Sequence, residues 1–135
     1  MKVYLNKPGS KKEIHRVKID KFDTWNMDVT LAYIIVPMLK QLKEVKHGAP
    51  FVDNEDVSDE LRASDEDLHT YSKNGETDEH YFDRWDYVMD EMIFAFQSKL
   101  DEKFFSDDII NYDAYSDRIN NGFKLFGKYY NGLWD

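Results

Sequence analysis

Four carboxylates, Glu79, Asp83, Asp86 and Asp90, recur at steps of four, three and four in and just before "HYFDRWDYVMDEM". That spacing puts them on one face of a helix, beside an apolar stripe through Trp85 and Met89. Like charges at i,i+4 repel by about a few tenths of a kcal/mol each. Almost no lysine stands one turn away within the stripe to balance them. Such a face is solvated, meets a basic surface, or offers oxygen ligands to a hard divalent cation. The metal reading lacks any EF-hand loop, and His47, His69 and His80 show no HExxH arrangement for zinc. With no cysteine there is no thiolate ligand, thiol nucleophile or disulfide. Neither a metal nor a cofactor is expected.

A second set of residues points to anion binding. Lys40 and Lys43 lie three apart, and Lys124 and Lys128 four apart, each pair on one helical face. Around them in the chain stand Trp25, Asp28, His47, Arg84, Trp85, Asp86, Tyr130 and Trp134. Should the two lysine faces converge, they form a cationic pocket walled by rings. That suits a nucleotide-like ligand, whose base stacks while Lys, Arg and His meet phosphate. Each Trp taken alone is more simply a core or half-buried anchor, and His47 suits a helix C-terminus, where a cation is favourable. No nucleophile elbow, phosphate-binding glycine loop, or kinase or deaminase signature occurs, so the chain is not expected to be an enzyme.

These side chains need helices to hold them. Apolar residues at Met27, Leu31, Ile34, Ile35, Met38, Leu42 and Val45 step by three and four and mark the buried face of a helix over 25–46. Asp23 or Thr24 caps its start, Gly48 and Pro50 close it, and Pro37 should kink it. A second helix, capped by Thr77, runs to about Phe104 with Phe82, Trp85, Met89, Met92, Ile93, Phe96 and Leu100 inward. A third, roughly 113–133, turns Tyr115, Ile119, Phe123, Phe126, Tyr130 and Leu133 inward. Gly122, Gly127 and Gly132 interrupt it at about 1 kcal/mol each relative to Ala, which implies close backbone approach or a ligand. "KVYLN" and "EIHRVKI", separated by "KPGSKK", read as an N-terminal β-hairpin that must pack on the helices. Residues 53–76 are acidic and without period, and read as a surface loop with a turn of helix around 56–62. The expected fold is a single mainly α (α+β) domain over 1–135, with three principal helices and the hairpin.

Net charge is −9, unevenly spread. Residues 1–47 carry ten Lys/Arg against five Asp/Glu, and residues 53–91 carry fifteen acids against three bases. The molecule should therefore have a basic and an acidic side, which favours charged partners or self-association. Aromatics at 16% exceed the needs of one small core and suggest an interface or pocket. The longest apolar run, "LAYIIVPML", is too short to span a bilayer, and no signal pattern opens the chain.

Three blocks, "DTWNMDVTLAYIIVPMLKQLKEVKHGAPFVDNEDV", "DEHYFDRWDYVMDEMIFAF" and "GFKLFGKYYNGLWD", resemble a family of small, functionally uncharacterised proteins of tailed bacteriophages. The resemblance implies a phage origin and action in the cytoplasm of an infected bacterium. It brings no activity and no catalytic residues. On these grounds the first expectation is a protein that binds and sequesters a small anionic, nucleotide-like ligand such as a host immune signal, counteracting bacterial defence. The second is an acidic mimic of nucleic acid that blocks a host or defence nuclease. The third is a virion assembly factor. Neither membrane insertion nor direct nucleic-acid binding is expected. The aromatic C-terminus should be docked, with Trp134 against the first helix or across the boundary of a homo-oligomer, most simply a two-fold dimer.

Overall fold

The computed structural model describes residues 1–4, 16–101 and 111–135, and of Tyr4 only its backbone. The fold is mainly α with a small β-hairpin. Strands β1 (Lys2–Tyr4) and β2 (Arg16–Lys18) pair antiparallel, with Val3 opposite Val17. Four α-helices follow among the described residues: α1 (Met27–Val45), α2 (Asp65–Asn74), α3 (Tyr81–Leu100) and α4 (Tyr112–Lys128). A single 3-10 turn, Tyr130–Gly132, carries the chain on from α4. Helix α3 ends at Leu100, with Asp101 extended as its C-cap, and the hairpin connection and residues 102–110, into which α3 is expected to run, lie outside the described residues. No described helix is long and apolar enough to cross a membrane.

Helix α3 is the centre of the molecule, packed against α1 on one side and α4 on the other. Trp85, Val88, Met89, Met92 and Ala95 are fully buried along it. Its neighbours contribute Ala32, Val36 and Leu39 from α1, and Ile119, Leu125 and Tyr129 from α4 and its end. The close α3–α4 approach rests on Gly122. A Cβ there would meet Ala95 Cβ at 2.5 Å and the Glu91 carbonyl oxygen closer still. The glycine cost anticipated for α4 is thus offset by helix contact, and Gly132 likewise faces the Pro50 ring. At Gly127 a Cβ would meet nothing within 4 Å.

Several expectations are corrected. The segment 53–76 is not a loop. It holds two 3-10 turns, Asn54–Asp56 and Asp59–Leu61, and then α2. Local capping explains that helix better than periodicity does. Ser64 and Asp67 form a capping box, Asp65 and Glu66 sit in its first turn, and Gly75 ends it at φ 70° in the left-handed region. Thr77 does not cap α3, which starts at Tyr81 after a turn through His80. Phe82 is exposed on α3, while Tyr81 and Arg84 take the buried positions. On α4, Tyr129 is buried in place of Tyr130. Among the described residues of the hairpin none is buried, and Val3 and Val17 are exposed. The hairpin is tied instead through the terminal amine, 3.1 Å from Asp23.

The largest correction concerns α1. Its buried face is Ala32, Val36 and Leu39. Much of the stripe expected inward, namely Met27, Leu31, Met38 and Val45, is exposed. The helix is apolar over two faces, and only one of them meets α3.

Candidate functional site

The basic and acidic parts of the chain neutralise each other across α1 and α3. Lys43 Nζ lies 2.8 Å from Asp90 and Lys46 Nζ 2.5 Å from Asp86. Hydrogen bonding to Asp90 holds the Lys43 ammonium above its ordinary pKa. At the other end of the same interface Lys99 of α3 reaches Asp28 of α1 at 3.2 Å, and hydrogen bonding to Lys99 depresses the Asp28 carboxyl. Asp83 is engaged by His80, 3.1 Å away, whose own pKa is raised by that bond. Asp86 and Asp90 of the acidic stripe therefore dock α1, while Asp83 meets His80 and Glu79 is exposed.

Two other cations are similarly committed. Arg84 is 1% exposed and forks onto Asp78 through two nitrogens, at 2.9 and 2.5 Å, while also donating to the Leu61 carbonyl at 3.0 Å. The guanidinium holds the Asp78 carboxyl below its ordinary range. Lys128 Nζ sits among three carboxylates: Asp53 at 2.8 Å, Glu55 at 3.1 Å and Asp56 at 2.6 Å. Their oxygens converge closely enough to hold a cation, and the cation they hold is this ammonium, whose pKa they raise. The Tyr129 hydroxyl joins the knot, donating to Asp56 and accepting from the Asp53 amide; burial, followed by that bond to Asp56, pushes its pKa up to about 12.

The rings are elsewhere. Ile35, Met38, Leu39 and Leu42 of α1 form one wall of an open groove of about 610 Å³, and Phe126, Tyr130, Leu133, Trp134 and Asp135 form the other. Trp134 is placed by Gly48, where a Cβ would sit 3.3 Å from the indole. Asp135 is tied back by the His47 backbone amide and Nδ1, each at 2.8 Å, and those bonds depress its carboxyl. The C-terminal tail is thus docked against α1, one of the two placements expected for it.

The twelve candidate residues do not come together. Tyr130 and Trp134 line the groove, with His47 at its rim. Lys40 and Lys43 line a separate recess with Glu44, Asp90 and Ile93, where no ring is present. Asp28, Asp86 and Lys128 are in ion pairs, and Lys124 is exposed on α4. Trp85 is fully buried with its edge toward Tyr129, and Arg84 is equally enclosed; both hold the fold together. Trp25 is exposed just before α1. The lysine faces fail to converge on the rings because α1 presents them to different neighbours. Residues 35, 38, 39 and 42 turn toward the C-terminal tail, and 40 and 43 toward α3. Sequence reasoning missed the groove because its wall was assigned to the core. A stripe of period 3.6 marks a buried face without naming what buries it.

Comparison with protein-family models, with curated proteins and with solved structures finds no match.

Proposed function

We propose that the protein acts by binding another protein surface, without catalysis, and that the apolar groove and the exposed stripe of α1 beside it are the working surface. The observation that carries this reading is the groove itself. Its size is that of a binding cleft, and its walls are almost wholly apolar, with Tyr130 and Trp134 more than half exposed. Met38 is 63% exposed between the groove and the stripe. Contiguous apolar surface of this extent is uncommon on a monomer and marks an interaction site. Aromatic rings and methionine are the residue types enriched in interface centres.

A nucleotide-like ligand is the second reading, favoured by one observation: two exposed rings, Tyr130 and Trp134, in a cavity of suitable volume. Of the lysines expected to meet its phosphate, Lys40 and Lys43 line a different recess and Lys128 is held by three carboxylates. The acidic-mimic reading retains only part of its surface, chiefly Glu60, Asp65, Glu66 and Glu76, since the carboxylates of α3 are engaged internally. In the infected bacterium implied by the phage resemblance, the protein's effect would follow from what it holds.

Site-specific photocrosslinking tests the proposal. A photoreactive side chain at Met38 is expected to form protein adducts in cells, whereas the same group at Lys124, exposed on α4 away from the groove, is not. Adducts at 124 and none at 38 would overturn it. A thermal shift with a nucleotide panel, lost on Trp134→Ala, would favour the second reading instead.

A further inference from the structure

We infer that the occupant of this surface is a second copy of the chain, the two α1 helices packing antiparallel about a two-fold axis level with Val36. The inference rests on the protein-binding reading above and names its partner.

Residues 27, 31, 34, 38, 41 and 45 follow one another at steps of four, three, four, three and four. That is the seam of a two-helix knobs-into-holes interface, and it lies on the side of α1 turned away from the face that packs on α3. Five of its six positions are apolar: Met27, Leu31, Ile34, Met38 and Val45. The sixth, Gln41, is the lone polar residue, the device that fixes register in such seams. An antiparallel arrangement pairs a-type with d-type positions. One register does so for all six: Met27 with Val45, Leu31 with Gln41, and Ile34 with Met38, each pair occurring twice.

The surroundings of the seam agree with a self-complementary partner. One flank carries Thr30, Pro37 and Glu44 and the other Asp28, Ile35 and Leu42, so no lysine flanks the seam and its two carboxylates lie at its ends, Asp28 already paired with Lys99. Antiparallel packing also sets the two helix macrodipoles head to tail. Trp25, 86% exposed two residues before Met27, falls level with His47 of the second copy, where Gly48 and Trp134 close the end of the groove. Each chain thus offers a projecting ring at one end of α1 and an open aromatic cleft at the other, which is the condition for an isologous interface. Trp25, Tyr130 and Trp134 are each more than half exposed, and rings of this kind bury about 150–250 Å² each when covered, to which the four exposed seam residues add. A stable interface needs about 800 Å² per partner.

Because the chain has no cysteine, disulfide trapping reads the geometry directly. Met27 and Val45 are both exposed, so Met27→Cys and Val45→Cys leave the core alone. In the inferred dimer, 27 faces 45 of the other copy, while the two copies of 27 stand roughly 27 Å apart at 1.5 Å per residue. Disulfides need Cα atoms within about 7 Å. A mixture of the two variants is therefore expected to form a covalent dimer under mild oxidation, and neither variant alone should do so. Sedimentation of the unmodified chain should give twice the single-chain mass, and Met38→Glu should weaken association at least tenfold with unchanged helical content.

Cross-linking by each variant alone would show a parallel arrangement and overturn the inference. So would a single-chain mass up to the highest soluble concentration. If that mass were found while Met38 still crosslinked to a different protein in cells, the protein-binding reading would stand and only the identity of the partner would fall.

Discussion

Trp85 and Trp25 are the same residue type in two regions that the sequence marks alike, and they meet opposite fates. Trp85 is 0% exposed at the centre of α3, and Trp25 is 86% exposed at the head of α1. Around Trp85, Val88, Met89 and Met92 are equally enclosed, because α3 is covered by α1 and by α4. Around Trp25 and along Met27, Leu31 and Met38, apolar residues of equal regularity face outward. Periodicity measures how apolar a face is. Whether that face is stabilised within the chain depends on whether another element arrives to cover it.

The comparison breaks most visibly at the buried charge on the α3 side. Arg84→Ala leaves Asp78 with a 10% exposed side chain and no countercharge. Equilibrium denaturation should show a loss of about 3–5 kcal/mol, a large share of a small domain's stability. A loss under about 1 kcal/mol would mean that Asp78 recovers water easily and that this region is no more closed than the α1 face.

A matched pair of methionines comes next. Met89→Ala should cost about 2–5 kcal/mol, as deletions in a filled core do. Met38→Ala in dilute solution should stay within about 0.5 kcal/mol, as exposed substitutions do. Equal effects at the two sites would erase the distinction drawn here.

The α3–α4 contact gives a third pair. At Gly122 a new Cβ meets Ala95, and overpacking of about 1–3 kcal/mol should outweigh the gain of about 1 kcal/mol in helix propensity. At Gly127, with no atom in the way, Ala should be neutral or stabilising. Thermal unfolding of both variants would show melting temperatures displaced in opposite directions, or only the first displaced.

The smallest effects come from pH. Asp78 has a depressed folded pKa, so its contribution is fully present above its unfolded value of 3.8 and is lost as pH falls through the lower folded value. Asp78→Asn should remove that part of the acid limb of the stability curve. His80 shifts the other way, raised above 6.5 by Asp83. Its contribution is complete below 6.5 and is lost as pH rises through the folded value. Titration of the His80 ring by NMR should show a midpoint above 6.5 that returns toward it in Asp83→Asn.

Much of the architecture was legible in the sequence because it is locally encoded. The apolar steps of α3 and α4, the end of α1 ahead of Gly48 and Pro50, and the pairing of "KVY" with "RVK" all follow from short-range rules. Helix α2 was encoded as well, but in the Ser64–Asp67 capping box and Gly75 and not in a hydrophobic period. Of the candidate site, Tyr130, Trp134 and His47 lie at or beside the groove. The charge asymmetry between the N-terminal and central segments was also plain. Its use was not: only the approach of α1 to α3 made Lys43 and Lys46 the partners of Asp90 and Asp86.

By itself, then, the sequence determined where helices form and which faces are apolar, since both depend on neighbours within a few turns. The tertiary structure alone decided which of the two apolar faces of α1 is covered, which lysines are already neutralised, and where Tyr130 and Trp134 stand open. Those outcomes depend on contacts between residues far apart in the chain, such as Lys128 with Asp53 and His47 with Asp135, and no local spacing encodes them.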